Sequence, residues 1–273
     1  MSDQSSFPTL VVGYDGSPDS ERAVDWAAEL LASHPAGSLH LLEALGLPPI
    51  PTQAWMTTAE ELVVAAEGAA RGRLDARAER LGTRLPQVRT HLRRWLPADS
   101  IVELAADLGA DLVAVGRRGY TPGRLLVGSV SSTVSRHANC PVVVVRGDDP
   151  MVPPRTILSA LDGSEPSRRA ARLAARLFPD VRIVAAFARP EKEGLDRRAI
   201  DTEVAEFRAS GARIEVELFD DDPAAALLGI AEREDVDLLT AGRRGRGPLR
   251  HLLFGSVAEK LLQLAPTPLL LAH

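Results

Sequence analysis

The sequence predicts an α/β protein made of two tandem doubly wound domains, each a five-stranded parallel sheet with helices on both faces. Three observations lead there. A glycine motif occurs twice: Gly116-Arg117-Arg118-Gly119 is followed after eight residues by Gly128-Ser129-Val130, and Gly242-Arg243-Arg244-Gly245 after nine by Gly255-Ser256-Val257. An Asp-Gly-Ser corner also occurs twice, at Asp15 and Asp162, 147 residues apart. Short apolar runs alternate with helix-spaced stripes, as expected of strands buried on both faces by crossover helices. A length of 273 residues suits two ordinary domains, and the internal repeat decides for two. Their boundary is expected within the proline-bearing stretch Arg146 to Pro154, giving domains 1–149 and 150–273.

Taken in order, Leu10 to Tyr14 reads as the first strand. It ends in Asp15-Gly16-Ser17-Pro18, where Ser17 suits an N-cap and Pro18 the first helical position. Ile157 to Leu161 and Asp162-Gly163-Ser164 repeat this. At the same offset Ala23, Ala27, Ala28 and Leu31 match Ala170, Ala174, Ala175 and Phe178, one apolar stripe of small residues on each helix. The second strands, Leu39 to Leu45 and Val181 to Phe187, lead to connections of unequal length, with helical runs at 59–85 and 191–209. Two-residue alternation then marks third strands, Val88, Thr90 and Leu92 against Ile214, Val216 and Leu218, at an offset of 126. The 21 missing residues therefore fall between the first and third strands. Asp111 and Asp237 open the fourth strands, and Pro141 to Val145 and Pro268 to Leu271 are the last. An apolar final strand needs a partner along its edge, so the two halves are expected to pair there.

Composition excludes several classes. A content of 45% hydrophobic and 25% charged residues is that of a globular protein. No apolar run approaches the roughly 18 residues of a membrane span, and Met1-Ser2-Asp3-Gln4 has no basic, apolar leader pattern, so no membrane and a cytoplasmic location are expected. A net charge of −5 argues against nucleic acid. The single cysteine, Cys140, reads as a buried small hydrophobe. The six histidines show no metal-ligand spacing. Neither a P-loop nor a Gly-x-Gly-x-x-Gly fingerprint is present.

What remains is a local concentration of positive charge in two glycine loops. A strand, a glycine loop and a helix N-terminus together offer backbone N–H groups to an anion, with glycine allowing close approach. On that reading the motif is a phosphate cradle, to which one arginine of each pair, taken as Arg118 and Arg244, adds charge-assisted contacts. Ser129 and Ser256 either donate to a phosphate or cap their own helices. Asp15 and Asp162 either hold the Asp-Gly-Ser turn or accept hydrogen bonds from a base or ribose, and the same carboxylate is placed to help hold Mg. His251, in the second loop, reads as a solvated residue or a ligand contact.

On these residues the chain resembles the universal stress proteins, in a tandem form, over nearly its whole length. The family pattern is two glycines two residues apart, then nine residues, then Gly-Ser or Gly-Thr, and members carrying it resemble ATP binders. The resemblance implies ATP as ligand, with or without Mg. In the second half it would be held by Asp162, Ala186, Ala241, Gly242, Arg244, Gly245, Gly255, Ser256 and Val257. In the first half the matching positions are Asp15, Ala44, Val115, Gly116, Arg118, Gly119, Gly128, Ser129 and Val130. The first spacer, Tyr120 to Val127, is one residue short of the pattern, which implies a weaker site. The family also implies pairing through the final strands, with a homodimer as a further form. The expected function is a cytoplasmic, nucleotide-dependent stress regulator or sensor with an unnamed downstream partner. No general base or phosphoryl-transfer lysine accompanies the loops, so any turnover is expected to be slow. A Mg-dependent nucleotide hydrolase and a scaffold that binds proteins but no nucleotide are the rival readings.

Overall fold

The computed structural model describes residues 8–46, 56–85, 87–119, 128–146, 152–188, 197–209, 213–220, 222–245 and 254–273. Contacts divide the chain into two compact units, 1–140 and 141–273. The first contains β1 (Thr9–Gly13), α1 (Pro18–Ala32), β2 (Ser38–Ala44), α2 (Met56–Gly82), β3 (Val88–Arg93), α3 (Pro97–Leu108), β4 (Leu112–Gly116) and α4 (Ser129–His137). The second opens with β5 (Val142–Val145) and continues with β6 (Thr156–Ala160), α5 (Glu165–Leu177), β7 (Arg182–Ala188), α6 (Arg197–Ala209), β8 (Arg213–Phe219), α7 (Pro223–Arg233), β9 (Leu238–Gly242), α8 (Ser256–Leu264) and β10 (Leu269–Ala272).

In the first unit the strands run in the order β3-β2-β1-β4, all parallel. In the second the order is β5-β10-β9-β6-β7-β8, parallel except for β5, which lies antiparallel to β10 with Val143 opposite Leu270. β5, the last strand of the first sequence repeat, thus packs as part of the second unit. Contacts therefore divide the chain at 140/141, ahead of the 149/150 boundary expected from the repeat. Arg146, which follows β5, is buried, and its guanidinium donates to the carbonyls of Ala265 (2.6 Å) and Leu262 (2.5 Å), capping α8.

Local chemistry explains the element ends. Ser17 Oγ accepts from Ser20 N at 3.3 Å and Ser164 Oγ from Ser167 N at 3.4 Å, so both serines are N-caps. Gly16 and Gly163 turn the corners at φ 76° and 74°, where a Cβ would be strained. The Asp111 and Asp237 carboxylates accept the amides of Thr9 (2.9 Å) and Thr156 (3.1 Å), tying the starts of β4 and β9 to those of β1 and β6. These repeated aspartates therefore serve the opposite end of the sheet from the glycine loops. Ala23, Ala27, Ala28 and Leu31 are buried as expected; Ala170 and Ala174 of α5 and Phe178 at its C-cap are buried but Ala175 is only half-buried, and Ala171 fills in beside them. Cys140 is buried. Among the described residues no helix is long and apolar enough to cross a membrane.

In each unit the first two helices pair through charge, with opposite polarity. Arg77 of α2, and Arg84 in the turn just after it, bond Glu21, Asp25 and Glu29 of α1. In the second unit the arginines stand on the earlier helix: Arg168 and Arg172 of α5 face Glu203 and Glu206 of α6 at 3.4 and 3.0 Å.

The β2–β3 pair carries a histidine couple, buried His40 against half-buried His91, with His40 Nδ1 3.0 Å from His91 Nε2 and the rings stacked. Burial first, then His91 and Arg89, pushes His40 down to about 4 from an ordinary value of 6.5; burial, Arg93 and Arg89 lower His91. The unfolded imidazole binds a proton more readily than the folded one. The couple's contribution is therefore present above about pH 6.5 and lost as pH falls toward about 4. Between pH 7 and 5, urea unfolding should show the wild type losing about 1–2 kcal/mol more than His40→Phe. Parallel pH profiles for the two proteins would contradict this.

Candidate functional site

Both units reverse strand order beside their first strand, β2 and β4 flanking β1, and β7 and β9 flanking β6. Ligands of open α/β sheets sit at the carboxyl ends of strands at such a point. There the two repeated motifs meet. Ser17 Oγ donates to Arg118 O and Ser164 Oγ to Arg244 O, each at 3.4 Å. A Cβ on Gly119 would lie 2.8 Å from Asp15 Oδ2, and one on Gly245 2.6 Å from Asp162 Oδ2. Each aspartate's other oxygen accepts a serine amide in its own turn, from Ser17 at 2.9 Å and Ser164 at 3.0 Å. One oxygen of each carboxylate thus holds the turn while the other faces the glycine loop.

The first glycine of each loop is pressed against a neighbouring helix. A Cβ on Gly242 would stand 2.8 Å from Ser167 N and 3.0 Å from Arg244 O, and one on Gly116 2.5 Å from the backbone of Asp19. Val115 and Ala241, just before these glycines, are buried strand residues. The amides of Gly128 and Gly255 are taken by Arg117 O (2.9 Å) and Arg243 O (2.7 Å), so these glycines close the loop rather than serve an anion. Both are N-caps without a side chain to offer, and α4 and α8 begin at Ser129 and Ser256 with no side-chain cap; Val130 and Val257 follow in the same first turns. Such turns present N–H groups to an acceptor from outside the helix. The arginines divide roles most clearly in the second unit, where Arg243 is buried and Arg244 exposed. In the first unit Arg117 and Arg118 are both half-buried, and burial followed by the neighbouring Arg118 lowers Arg117.

Three features differ from the sequence reading. Strand register pairs Gly13 with Leu42 and Ala160 with Ala186, so Ala186 corresponds to Leu42, and Ala44 to Ala188. Three of the 21 missing residues are lost before the second strand and eighteen after it. Ala186 is buried with its carbonyl accepting Leu161 N, whereas Ala44 ends its strand half-buried. Second, Asp19 enters the first loop: its Oδ2 accepts Arg118 N at 2.9 Å while Oδ1 pairs with Arg22. The position 147 residues later is Pro166, which has no carboxylate. Third, a buried acid stands near each turn aspartate, Glu43 of β2 in the first unit and Glu203 of α6 in the second, both pushed upward chiefly by burial. Among the described residues no cluster of three or more His, Cys, Asp or Glu forms a metal site. The spacers 120–127 and most of 246–254, with His251, lie outside the described residues.

The sequence profile of the universal stress protein family matches residues 6–146 and again 154–273. The chain belongs to that family. This universal stress protein is 29% identical to the Mycobacterium tuberculosis universal stress protein Rv2005c over 97% of its own length and 96% of that protein. It is 29% identical to Rv2623 of the same organism over 100% and 99%. A crystal structure of a universal stress protein from Archaeoglobus fulgidus superposes with a TM-score of 0.72 at 19% identity, covering 97% of this chain and 95% of that one, a likeness of fold.

Proposed function

We propose that this universal stress protein binds ATP, more tightly in the second unit than in the first, and acts as a cytoplasmic nucleotide-dependent sensor or regulator. The observation that carries this reading is the convergence at the end of β9 and β6. Gly242 and Gly245 keep side chains out of the loop, Asp162 lies against it, and α8 begins without a side-chain cap beside exposed Arg244. On this reading the phosphates take the amides of Ser256 and Val257 and the charge of Arg244, and Asp162 accepts from the ribose. Magnesium would come with the nucleotide, held mainly by phosphates and water with the Asp162 carboxylate beside them.

Isothermal titration of ATP with Mg into the intact chain tests this. One tight site, with a second weaker one, is the expected result. No binding by calorimetry or by a second method would reject the nucleotide reading and favour the scaffold.

A further inference from the structure

The second unit holds a cavity of about 290 Å³ between its first two helices, lined by Arg168 of α5 and by Arg198, Thr202, Glu203 and Glu206 of α6. Residues 198, 202 and 206 follow the four-residue spacing of neighbours on one helix face. At about 30 Å³ per water, the space suits about ten waters or one molecule of about ten non-hydrogen atoms. The first unit treats its own helix pair differently. There the buried charge is Arg77, whose guanidinium stands 3.0 Å from Glu21 and also bonds Asp25. In the second unit the buried charge is Glu203, and a carboxylate is shorter than a guanidinium and has no N–H to give.

Glu203 is 2% exposed, and neither of its oxygens accepts a hydrogen bond; Arg168 Nε lies 3.4 Å from Oε2 as an ion pair without hydrogen-bond alignment. Burying a carboxylate in that condition is costly, and an ion pair at that separation offsets only part of the cost. A buried, underbonded acid on the wall of a cavity is a site short of its donor. The neighbouring groups narrow what that donor belongs to. Thr202 commits its hydroxyl hydrogen to Arg198 O, at 2.7 Å, so its remaining capacity is as an acceptor. Glu206 pairs with Arg172 through Oε2 at 3.0 Å. Arg198 is exposed at the start of α6, and a guanidinium carries five N–H groups, more than one partner uses. Two arginines and two glutamates line the space, so their formal charges cancel. A plain cation would satisfy Glu203 but meet the arginines. A plain anion would leave Glu203 as it is.

We infer that this cavity binds a small zwitterion bearing a primary ammonium and a carboxylate, the class of the free amino acids, with the ammonium donating to Glu203 and Thr202 and the carboxylate held by Arg198. An ammonium supplies three N–H donors in a compact group, enough for both unmet oxygens and the threonine. Its charge also matches the one that burial makes expensive.

The test is thermal unfolding of the full chain with each free amino acid in turn at millimolar concentration. The one giving the largest shift is then titrated calorimetrically beside its decarboxylated amine and its deaminated acid. At least one amino acid is expected to raise Tm by about 2–4 °C and to bind about tenfold or more tightly than either analogue. Glu203→Gln keeps the shape and removes the charge. It should weaken the amino acid by about tenfold or more while leaving the ligand-free Tm unchanged or raised, because a buried charge without hydrogen bonds is gone. Arg198→Ala, at an exposed position, should remove the preference over the decarboxylated amine and keep the preference over the deaminated acid. No shift with any amino acid overturns the inference, as does equal affinity in wild type and Glu203→Gln. Binding of the amine alone as tightly as the amino acid overturns it in favour of a plain cation site. None of these readouts involves a nucleotide, so they stand or fall apart from the ATP reading.

Discussion

Gly242→Glu is expected to remove ATP binding from the second unit, weakening it by about 100-fold or more. The substitution acts twice. Its Cβ would stand 2.8 Å from Ser167 N, 3.0 Å from Arg244 O and 3.0 Å from Pro166 Cβ, so the loop and the start of α5 must separate. Its carboxylate then places negative charge where the phosphates are proposed to sit, and like charges a few ångströms apart at a half-buried site cost about 3–4 kcal/mol. Circular dichroism and thermal unfolding establish that the variant folds. Gly245→Ala is the milder companion, because its Cβ meets only the end of the Asp162 side chain, which can swing aside. A folded Gly242→Glu protein that retains the tight ATP site would refute the assignment.

The second large effect is a gain. Asp19→Ala, in a Gly242→Glu background that isolates the first unit, should tighten ATP there by about tenfold. The Asp19 carboxylate takes the amide of Arg118, at 2.9 Å, and so occupies one donor of the loop while adding a negative charge beside it. Removing it restores both, at a cost of about 0.3–1 kcal/mol in α1 stability, since an acid in the first turn favours the helix dipole. Asp19→Asn should fall between, keeping an acceptor without the charge. Equal affinities for wild type, Asn and Ala would show that Asp19 does not compete with the ligand.

The sequence carried the strand ends at the site because one offset of 147 held from β1 through α1, and Asp-Gly-Ser and Gly-Arg-Arg-Gly have backbone reasons to exist. It misaligned Ala44 with Ala186 because the turn after α1 differs by three residues, and a strand of small apolar side chains gives no landmark for such a slip. Asp19 looked like an ordinary first-turn helix acid; its contact with Arg118 spans 99 residues and leaves no local pattern. The one available signal was the contrast with Pro166 at the same offset. Glu43 and Glu203 were hidden for a related reason. One sits in a strand and the other on a helix, so no repeat alignment could pair them. The fate of β5 was half legible: its apolar edge demanded a partner, but its pairing with β10, and the burial of Arg146 just after it, a charged residue that the sequence placed in a linker, left no local pattern.

A chain that writes the same fold twice faces a hazard during assembly, since the second helix of one copy resembles the seat of the other. The inverted polarity of the helix pairs answers it. At the shared offset Glu21, Asp25 and Glu29 become Arg168, Arg172 and Arg176, while the facing helix changes from arginines to glutamates. Were α2 to settle on α5, arginine would meet arginine; were α6 to settle on α1, glutamate would meet glutamate and aspartate. Each mismatch exchanges attraction for repulsion at several contacts at once, so the two halves are addressed to themselves by charge even though their backbones follow one plan.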